Sequence, residues 1–178
     1  MARTRDFSLR ALYEALDEQR KVRGLSWAEA TRQMNGQAGV SKRHVASKGH
    51  SLSASTVKAM RIRTVAEGDG VLQMLRWLDR TPESFLPNYD SASARDADFP
   101  DVPSGGVLRF DTKKLYGAVN ARRQESDMTW QDAAKQIGVA AAGLQHLSKG
   151  GRTSFPQVMR ILRWLGRRAA DFTRVAEH

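Results

Sequence analysis

Residues 129–150 read TWQDAAKQIGVAAAGLQHLSKG, and this stretch decides the fold. Thr129 places a hydroxyl before an apolar-periodic segment, and Asp132 follows three residues later, which is the pattern of a helix start closed by a capping box. Gly138 ends that segment in the way that a glycine just beyond a helix does. A second apolar-periodic segment follows at about residues 140–147. The stretch therefore predicts two short helices joined by a tight turn.

The flanks of this stretch add further helices. Leu115, Ala118 and Val119 form an apolar helical stripe before it, and Ser154 followed by Pro156 marks the start of a helix after it. No segment alternates with the period of a strand. We therefore predict an all-α domain of about five short helices.

The same plan occurs earlier in the chain. Adding 103 to the positions of the first block gives identical residues in the second: Phe7, Leu12, Tyr13, Arg20, Trp27, Ala30 and Gln33 match Phe110, Leu115, Tyr116, Arg123, Trp130, Ala133 and Gln136. A later block repeats with an offset of 87: Val71, Leu75–Leu78, Arg80 and Phe85 match Val158, Leu162–Leu165, Arg167 and Phe172. The offsets differ by 103 − 87 = 16, so the first copy carries an insertion of 16 residues at about 35–50. Such self-similarity predicts two copies of one helical domain.

The composition separates the two copies. Residues 89–106 are rich in Pro, Gly and Ser and hold four Asp against one Arg, which is typical of a linker. We therefore predict a first domain at 1–88, an acidic linker at 89–106 and a second domain at 107–178.

Residues 129–150 resemble the lambda-repressor-like (Cro-type, Xre-type) helix-turn-helix family. The shared features are the hydroxyl cap, the alanine in the middle of the second helix of the domain, the Ile-Gly-Val turn and the basic-Gly ending. The segments RWLDRTPESF and RWLGRRAADF, which end at Phe85 and Phe172, are similar to the last part of that family. The resemblance covers both copies and implies two tandem five-helix domains. In each, the third helix would enter the DNA major groove.

In the first copy the family pattern falls on residues 52–61, LSASTVKAMR, in a register that needs no gap against the second copy. A rival register begins at residues 39–45, GVSKRHV, but it places Lys48 where an apolar residue is needed. The resemblance and the charge pattern together imply two sets of DNA-contacting residues. In the first copy these are Ser53, Ser55, Thr56 and Lys58, then Arg61 and Arg63, with Lys42 and Arg43 of the insertion. In the second copy they are Ala141, Ala142, Gln145, His146, Lys149 and Arg152.

The positive charge is concentrated around these helices. The chain of 178 residues has a formal net charge of +10. Residues 30–66 and residues 133–170 contain no acidic residue, and each window holds seven basic ones. Such surfaces favour a polyanionic partner. We expect the partner to be double-stranded DNA and the protein to be a sequence-specific transcription regulator, with repression as the expected mode.

An alternative gives the copies different tasks. The third helix of the second copy begins with Ala140-Ala-Ala-Gly143, which offers few hydrogen-bond donors for base edges. The first copy would then bind DNA, and the second would be a dimerisation or protein-interaction module. With two copies in one chain, we expect DNA binding by a monomer or a weak homodimer.

Other function classes find little support in the sequence. The chain has no Cys, so disulfides and thiolate metal sites are excluded. No apolar run approaches the ~18 residues of a membrane span. The four His are too scattered for a metal site, and neither paired carboxylates nor a cofactor loop is present. We expect a cytoplasmic, nucleoid-associated protein that is not an enzyme and that holds no cofactor or metal.

Three features have two interpretations. The four Trp could stack on bases, but their places on apolar stripes favour the core. Arg76 and Arg163 belong either to a solvated face or to phosphate contacts. The basic insertion is either a solvated loop or an arm along the DNA backbone.

Overall fold

The structure is a computed structural model and describes residues 7–36, 52–86, 99–103 and 106–177. Within these ranges the chain is mostly helical, as the sequence predicts. The α-helices are α1 (Leu9–Val22), α2 (Trp27–Met34), α3 (Ala54–Ala59), α4 (Gly68–Leu78), α5 (Thr112–Glu125), α6 (Trp130–Ile137), α7 (Ala141–Leu147) and α8 (Phe155–Leu165). Short 3-10 helices follow α4 at Pro82–Phe85 and α8 at Ala169–Phe172.

The expectation that no segment forms a strand is wrong. Strand β1 (Gly106–Phe110) pairs antiparallel with strand β2 (Thr173–Glu177), with Leu108 opposite Val175. Each strand has five residues, and the neighbouring side chains of Val107 and Leu108 are both buried. So short a segment, buried at consecutive positions, carries no alternating pattern that the sequence could reveal. The strand also takes Gly106, which we expected to be the last linker residue.

The helix starts follow from local chemistry. The capping box predicted at the start of α6 is formed: Thr129 Oγ1 accepts from the Asp132 N–H at 3.1 Å. The equivalent Ser26 forms one at the start of α2, where its Oγ accepts from the Glu29 N–H at 3.3 Å. Gly138 closes α6 with φ +80°, a conformation that favours glycine. Ser154 stands at the N-cap of α8 without a side-chain hydrogen bond to the helix.

The repeated aromatic residues build the same cluster in both copies. Tyr13 stacks on Trp27 with ring centroids 5.6 Å apart, and the Arg20 guanidinium lies 4.9 Å from the same indole. The second copy repeats this with Tyr116, Trp130 and Arg123 at 5.0 and 4.9 Å. Both indoles are half-buried against the core, as the apolar stripes predict.

The other two tryptophans join the second helix of a copy to its fourth. Trp77 Nε1 donates to Gln33 Oε1 at 3.0 Å, and Trp164 Nε1 donates to Gln136 Oε1 at 3.0 Å. A half-buried indole N–H needs such a partner. This explains why tryptophan and glutamine recur together in both copies.

The two copies meet through a main-chain pairing of equivalent positions. Glu67 forms an antiparallel bridge with Ser154, and 67 + 87 = 154. On its two sides, the Gly68 N–H donates to the Thr153 carbonyl at 2.9 Å, and the Phe155 N–H donates to the Ala66 carbonyl at 2.8 Å. These bonds are also equivalent by the offset of 87. A local two-fold axis therefore passes between Glu67 and Ser154.

Phenylalanines fill the space beside this axis. Phe155 is fully buried, and its ring centroid lies 4.5 Å from that of Phe7 and 5.8 Å from that of Phe110. Gly68 is the counterpart of Phe155, and a Cβ there would lie 3.0 Å from the Phe110 ring. The buried side chains of both copies thus belong to one continuous hydrophobic core.

The end of the predicted linker also packs on this core. Phe99 and Val102 are half-buried against it, and an Arg76 guanidinium N–H donates to the Val102 carbonyl at 3.3 Å. Arg76 thereby has a structural partner. β1 then packs against α4 of the first copy while it pairs with β2 of the second.

We predict that Phe155→Ala destabilises both copies together by about 3–5 kcal/mol, since the variant removes a buried ring that both copies share. Two reporters follow the copies separately by tryptophan fluorescence in urea: Trp27→Phe/Trp77→Phe keeps only the indoles of the second copy, and Trp130→Phe/Trp164→Phe keeps only those of the first. Both reporters should shift equally. Val22→Ala, at a side chain 77% exposed, is the control and should stay within about 0.5 kcal/mol. An unchanged transition in the first-copy reporter would contradict the shared core.

Candidate nucleic-acid interface

The second copy contains two short helices joined by a turn. α6 and α7 are separated by residues 138–140, with the left-handed Gly138 at the corner. Leu144 and Leu147 on the inner face of α7 are buried, while Gln145 and His146 on its outer face are exposed. α7 therefore presents a polar face to solvent from a fixed position.

The first copy has the same arrangement around its insertion. Val57 of α3 and Met60, the C-cap of that helix, are buried, and adding 87 to their numbers gives the buried Leu144 and Leu147 of α7. α3 thus lies in the register predicted for residues 52–61, although it ends at Ala59 rather than at Arg61. The rival segment 39–45, with Lys42 and Arg43, lies outside the described residues.

Asn35 holds the two ends of the insertion together. Its Nδ2 donates to the Leu52 carbonyl at 2.9 Å, and its Oδ1 accepts from the Leu52 N–H at 2.8 Å. The Asn35 amide thus satisfies both the N–H and the carbonyl of Leu52. α3 can therefore follow α2 in the register of the second copy although 16 extra residues intervene.

Hydroxyl groups gather at the start of α3. Ser53 is its N-cap, and its Oγ accepts from the Thr56 N–H at 3.1 Å. The same Oγ lies 2.8 Å from Ser55 Oγ and 2.8 Å from Thr56 Oγ1. These three residues and Lys58 are all exposed. The start of α3 can therefore donate and accept hydrogen bonds at several adjacent points.

The start of α7 is different. Its N-cap, Ala140, provides no side-chain hydrogen bond. Ala141 is half-buried against the core, whereas Ala142 is exposed. Of the two alanines predicted to face DNA, the first thus contributes to packing. His146 lies against the following turn, where a Cβ on Gly151 would come within 2.6 Å of its Nε2.

Exposed basic segments follow both helices. Arg61 and Arg63 come directly after α3 and are exposed, and Lys149 is exposed after α7. Arg152 Nε lies 3.8 Å from Glu67 Oε1 across the boundary between the copies. Of the predicted phosphate contacts, Arg152 therefore also lies beside an acid of the other copy.

The carboxylates in the first turns of α2 and α6 stay ionised at neutral pH. Hydrogen bonds from the Ser26 hydroxyl and then from its backbone N–H lower the pKa of Glu29. The same two groups of Thr129 lower the pKa of Asp132. Each charge stands in the first turn of its helix, where it interacts favourably with the helix dipole.

Within the described ranges, no three His, Asp or Glu side chains converge in a way that could hold a metal ion. No helix among those residues is both long and apolar enough to cross a membrane.

Sequence reasoning missed the residues that fix the two helices in place, namely Asn35 and the pairing of Glu67 with Ser154. Phe7 and Phe110 carried a signal, because the same residue recurs before the first helix of each copy. That recurrence could have pointed to a shared contact.

The chain matches no family model, no curated protein and no solved structure among those searched.

We predict that Asn35→Ala destabilises the fold by about 1–3 kcal/mol, because it leaves the Leu52 N–H and carbonyl without their partner. Urea unfolding followed by circular dichroism gives the free energy of unfolding. Asn120→Ala is the matched control: Asn120 Oδ1 only accepts from Arg123 on a helix surface, so the loss should be about 0.2–0.5 kcal/mol. Equal losses in the two variants would show that Asn35 does not hold the insertion.

Proposed function

We propose that this protein binds double-stranded DNA sequence-specifically through α3 and α7 and acts as a transcription regulator, with repression as the expected mode. In this proposal the copies are tandem five-helix domains of the lambda-repressor-like type. One observation carries it: the two copies pair about a local two-fold axis at Glu67 and Ser154, and each has an equivalent short helix with an exposed polar face and a basic segment behind it.

The local axis matters because a DNA duplex has two-fold symmetry of its own. Two equivalent helices related by such an axis lie on opposite sides of it and at the same height along it. A protein of this kind can therefore place both helices in successive major grooves, about 34 Å apart. Two-fold proteins normally obtain this arrangement by pairing two chains.

Here a single chain supplies both halves, so one chain should occupy one site. The helices are not alike: the hydroxyl-rich start of α3 faces base edges with donors and acceptors, whereas the exposed Ala142 of α7 offers a methyl group. The two half-sites therefore need not be palindromic. Phosphate contacts come from Arg61, Arg63 and Lys149, which position the helices without reading sequence.

A second candidate function rests on the start of α7. Because Ala140 gives that helix no side-chain cap and Ala141 packs inward, the second copy has fewer groups for base edges. In this alternative α3 alone binds DNA, and the outer face of α7 binds a protein partner or a second chain.

We predict that DNA binding weakens steeply as salt is raised. If about six to eight phosphates are neutralised, log K should fall against log salt with a slope of roughly −5 to −7, because condensed counterions are released. Fluorescence anisotropy with labelled genomic fragments measures the slope. A slope near zero would argue against DNA binding by these basic surfaces.

We also predict that the first copy provides most of the base specificity. Lys58 and Gln145 are equivalent, since 58 + 87 = 145, so Lys58→Ala and Gln145→Ala are a matched pair. Ser55→Ala, Thr56→Ala and Lys58→Ala should each lose about 1–3 kcal/mol per base contact against the specific site. Gln145→Ala and His146→Ala should lose less. Losses from the second copy that equal or exceed these would reverse the ranking, and no loss from the second copy at all would favour the protein-interaction alternative.

A further inference from the structure

A cleft of about 480 Å³ lies where the two copies meet, next to α3. Its volume falls in the range of small-molecule sites, about 300–1,000 Å³. The walls are mostly apolar and come from the residues that flank α3, through Leu52 and Met60, and from α4, through Val71 and Met74. The second copy closes one side with residues 152–154.

The two copies differ in the side chains at the position of this cleft. Gly70 of α4 lines it, and its counterpart in α8 is Gln157, since 70 + 87 = 157. In the second copy the Gln157 amide lies against Gly143, where it would be 3.0 Å from a Cβ. The counterpart of Gly143 in the first copy is Thr56, since 56 + 87 = 143, and Thr56 lines the cleft. The first copy thus has a small hydroxyl side chain and Gly70 where the second has a glycine and a long amide, and a Cβ on Gly70 would lie 3.1 Å from Leu52 Cδ2.

The polar groups around the cleft favour an anion. Arg63 and Arg152 stand on its lining against one acid, Glu67, which is 3.8 Å from Arg152. Thr153 also lines the cleft, and its buried Oγ1 has no hydrogen-bond partner among the described residues. Apolar walls with surplus positive charge and a hydroxyl fit a small molecule with an apolar body and a single acidic group.

We propose that this cleft binds a small apolar anion, such as an aromatic or aliphatic monocarboxylate, and that its binding weakens DNA binding. The coupling rests on the proposed function, because it requires that α3 and Arg63 lie against DNA. An anion in the cleft partly neutralises Arg63 and places a negative charge behind the helix that meets the phosphates. By linkage, DNA lowers the affinity for the anion by the same factor.

The probe is 8-anilinonaphthalene-1-sulfonate, which combines aromatic rings with one anionic group, and the full chain is titrated with it. The uncharged N-phenyl-1-naphthylamine tests the need for charge and should bind more weakly. Gly70→Gln places in the first copy the side chain that the second already has, and it should weaken binding of the sulfonate by about tenfold or more. The matched control is Gly117→Gln on exposed α5, where a Cβ meets nothing within 4 Å, and its binding should equal that of the original chain.

A second measurement does not depend on how the variants fold. With ¹³C-methyl methionine, the resonances of Met60 and Met74 should shift on titration, while those of Met128 and Met159 should not. Shifts at the latter pair, or at none of the four, would overturn the site. Equal sulfonate affinity in Gly70→Gln and the original chain would overturn it as well.

The coupling is tested on labelled DNA with the saturating probe, which should lower the DNA affinity about fivefold or more. An unchanged DNA affinity would overturn the coupling. If Met60 and Met74 shift but no DNA binds, the proposed function fails and the anion site stands. If DNA binds and neither methionine shifts, the anion site fails and the proposed function stands.

Discussion

The arrangement of the whole molecule depends on the main-chain pairing of residues 66–68 with residues 153–155. Two backbone hydrogen bonds of 2.9 and 2.8 Å join equivalent positions of the copies, and the buried ring of Phe155 packs beside them on Phe7. This pairing sets the position of α4 relative to α8. Because α3 and α7 each pack within their own copy, it also sets the distance between the two candidate DNA-contacting faces.

Two carboxylates make hydrogen bonds between the copies that have no symmetric counterpart. Asp69 Oδ1 accepts from the Phe110 N–H, and Glu83 Oε1 accepts from the Ala169 N–H, both at 3.0 Å. The counterparts of Asp69 and Ala169 are prolines, at 156 and 82, which have neither a carboxylate nor an N–H. The two halves therefore complement each other better than either would complement itself. This favours pairing within one chain over pairing between two.

The sequence predicted what local chemistry controls. The capping box at Thr129, the left-handed Gly138 and the register of α3 all follow from short-range patterns in the sequence. It did not predict β1 and β2, because each strand depends on a partner more than 60 residues away in the chain. Nor did it predict the main-chain pairing of the copies, since backbone hydrogen bonds leave no mark on residue type. For the site, the sequence could place Ser53, Thr56 and Lys58 on an exposed face. The two hydrogen bonds between Asn35 and Leu52 and the ion pair of Arg152 with Glu67 could be recognised only in the structure.

The central claim is that the two copies form one fixed two-fold unit in the free protein. The chain has no Cys, so spin labels can be attached at Val22→Cys and Glu125→Cys alone, at exposed equivalent positions of α1 and α5, since 22 + 103 = 125. Electron–electron dipolar spectroscopy then measures the distance between the labels with and without DNA. The structure predicts one narrow distance distribution that does not change when DNA binds. A broad distribution in the free protein that narrows only on DNA would show that the copies are independent domains on a tether, and would contradict the account.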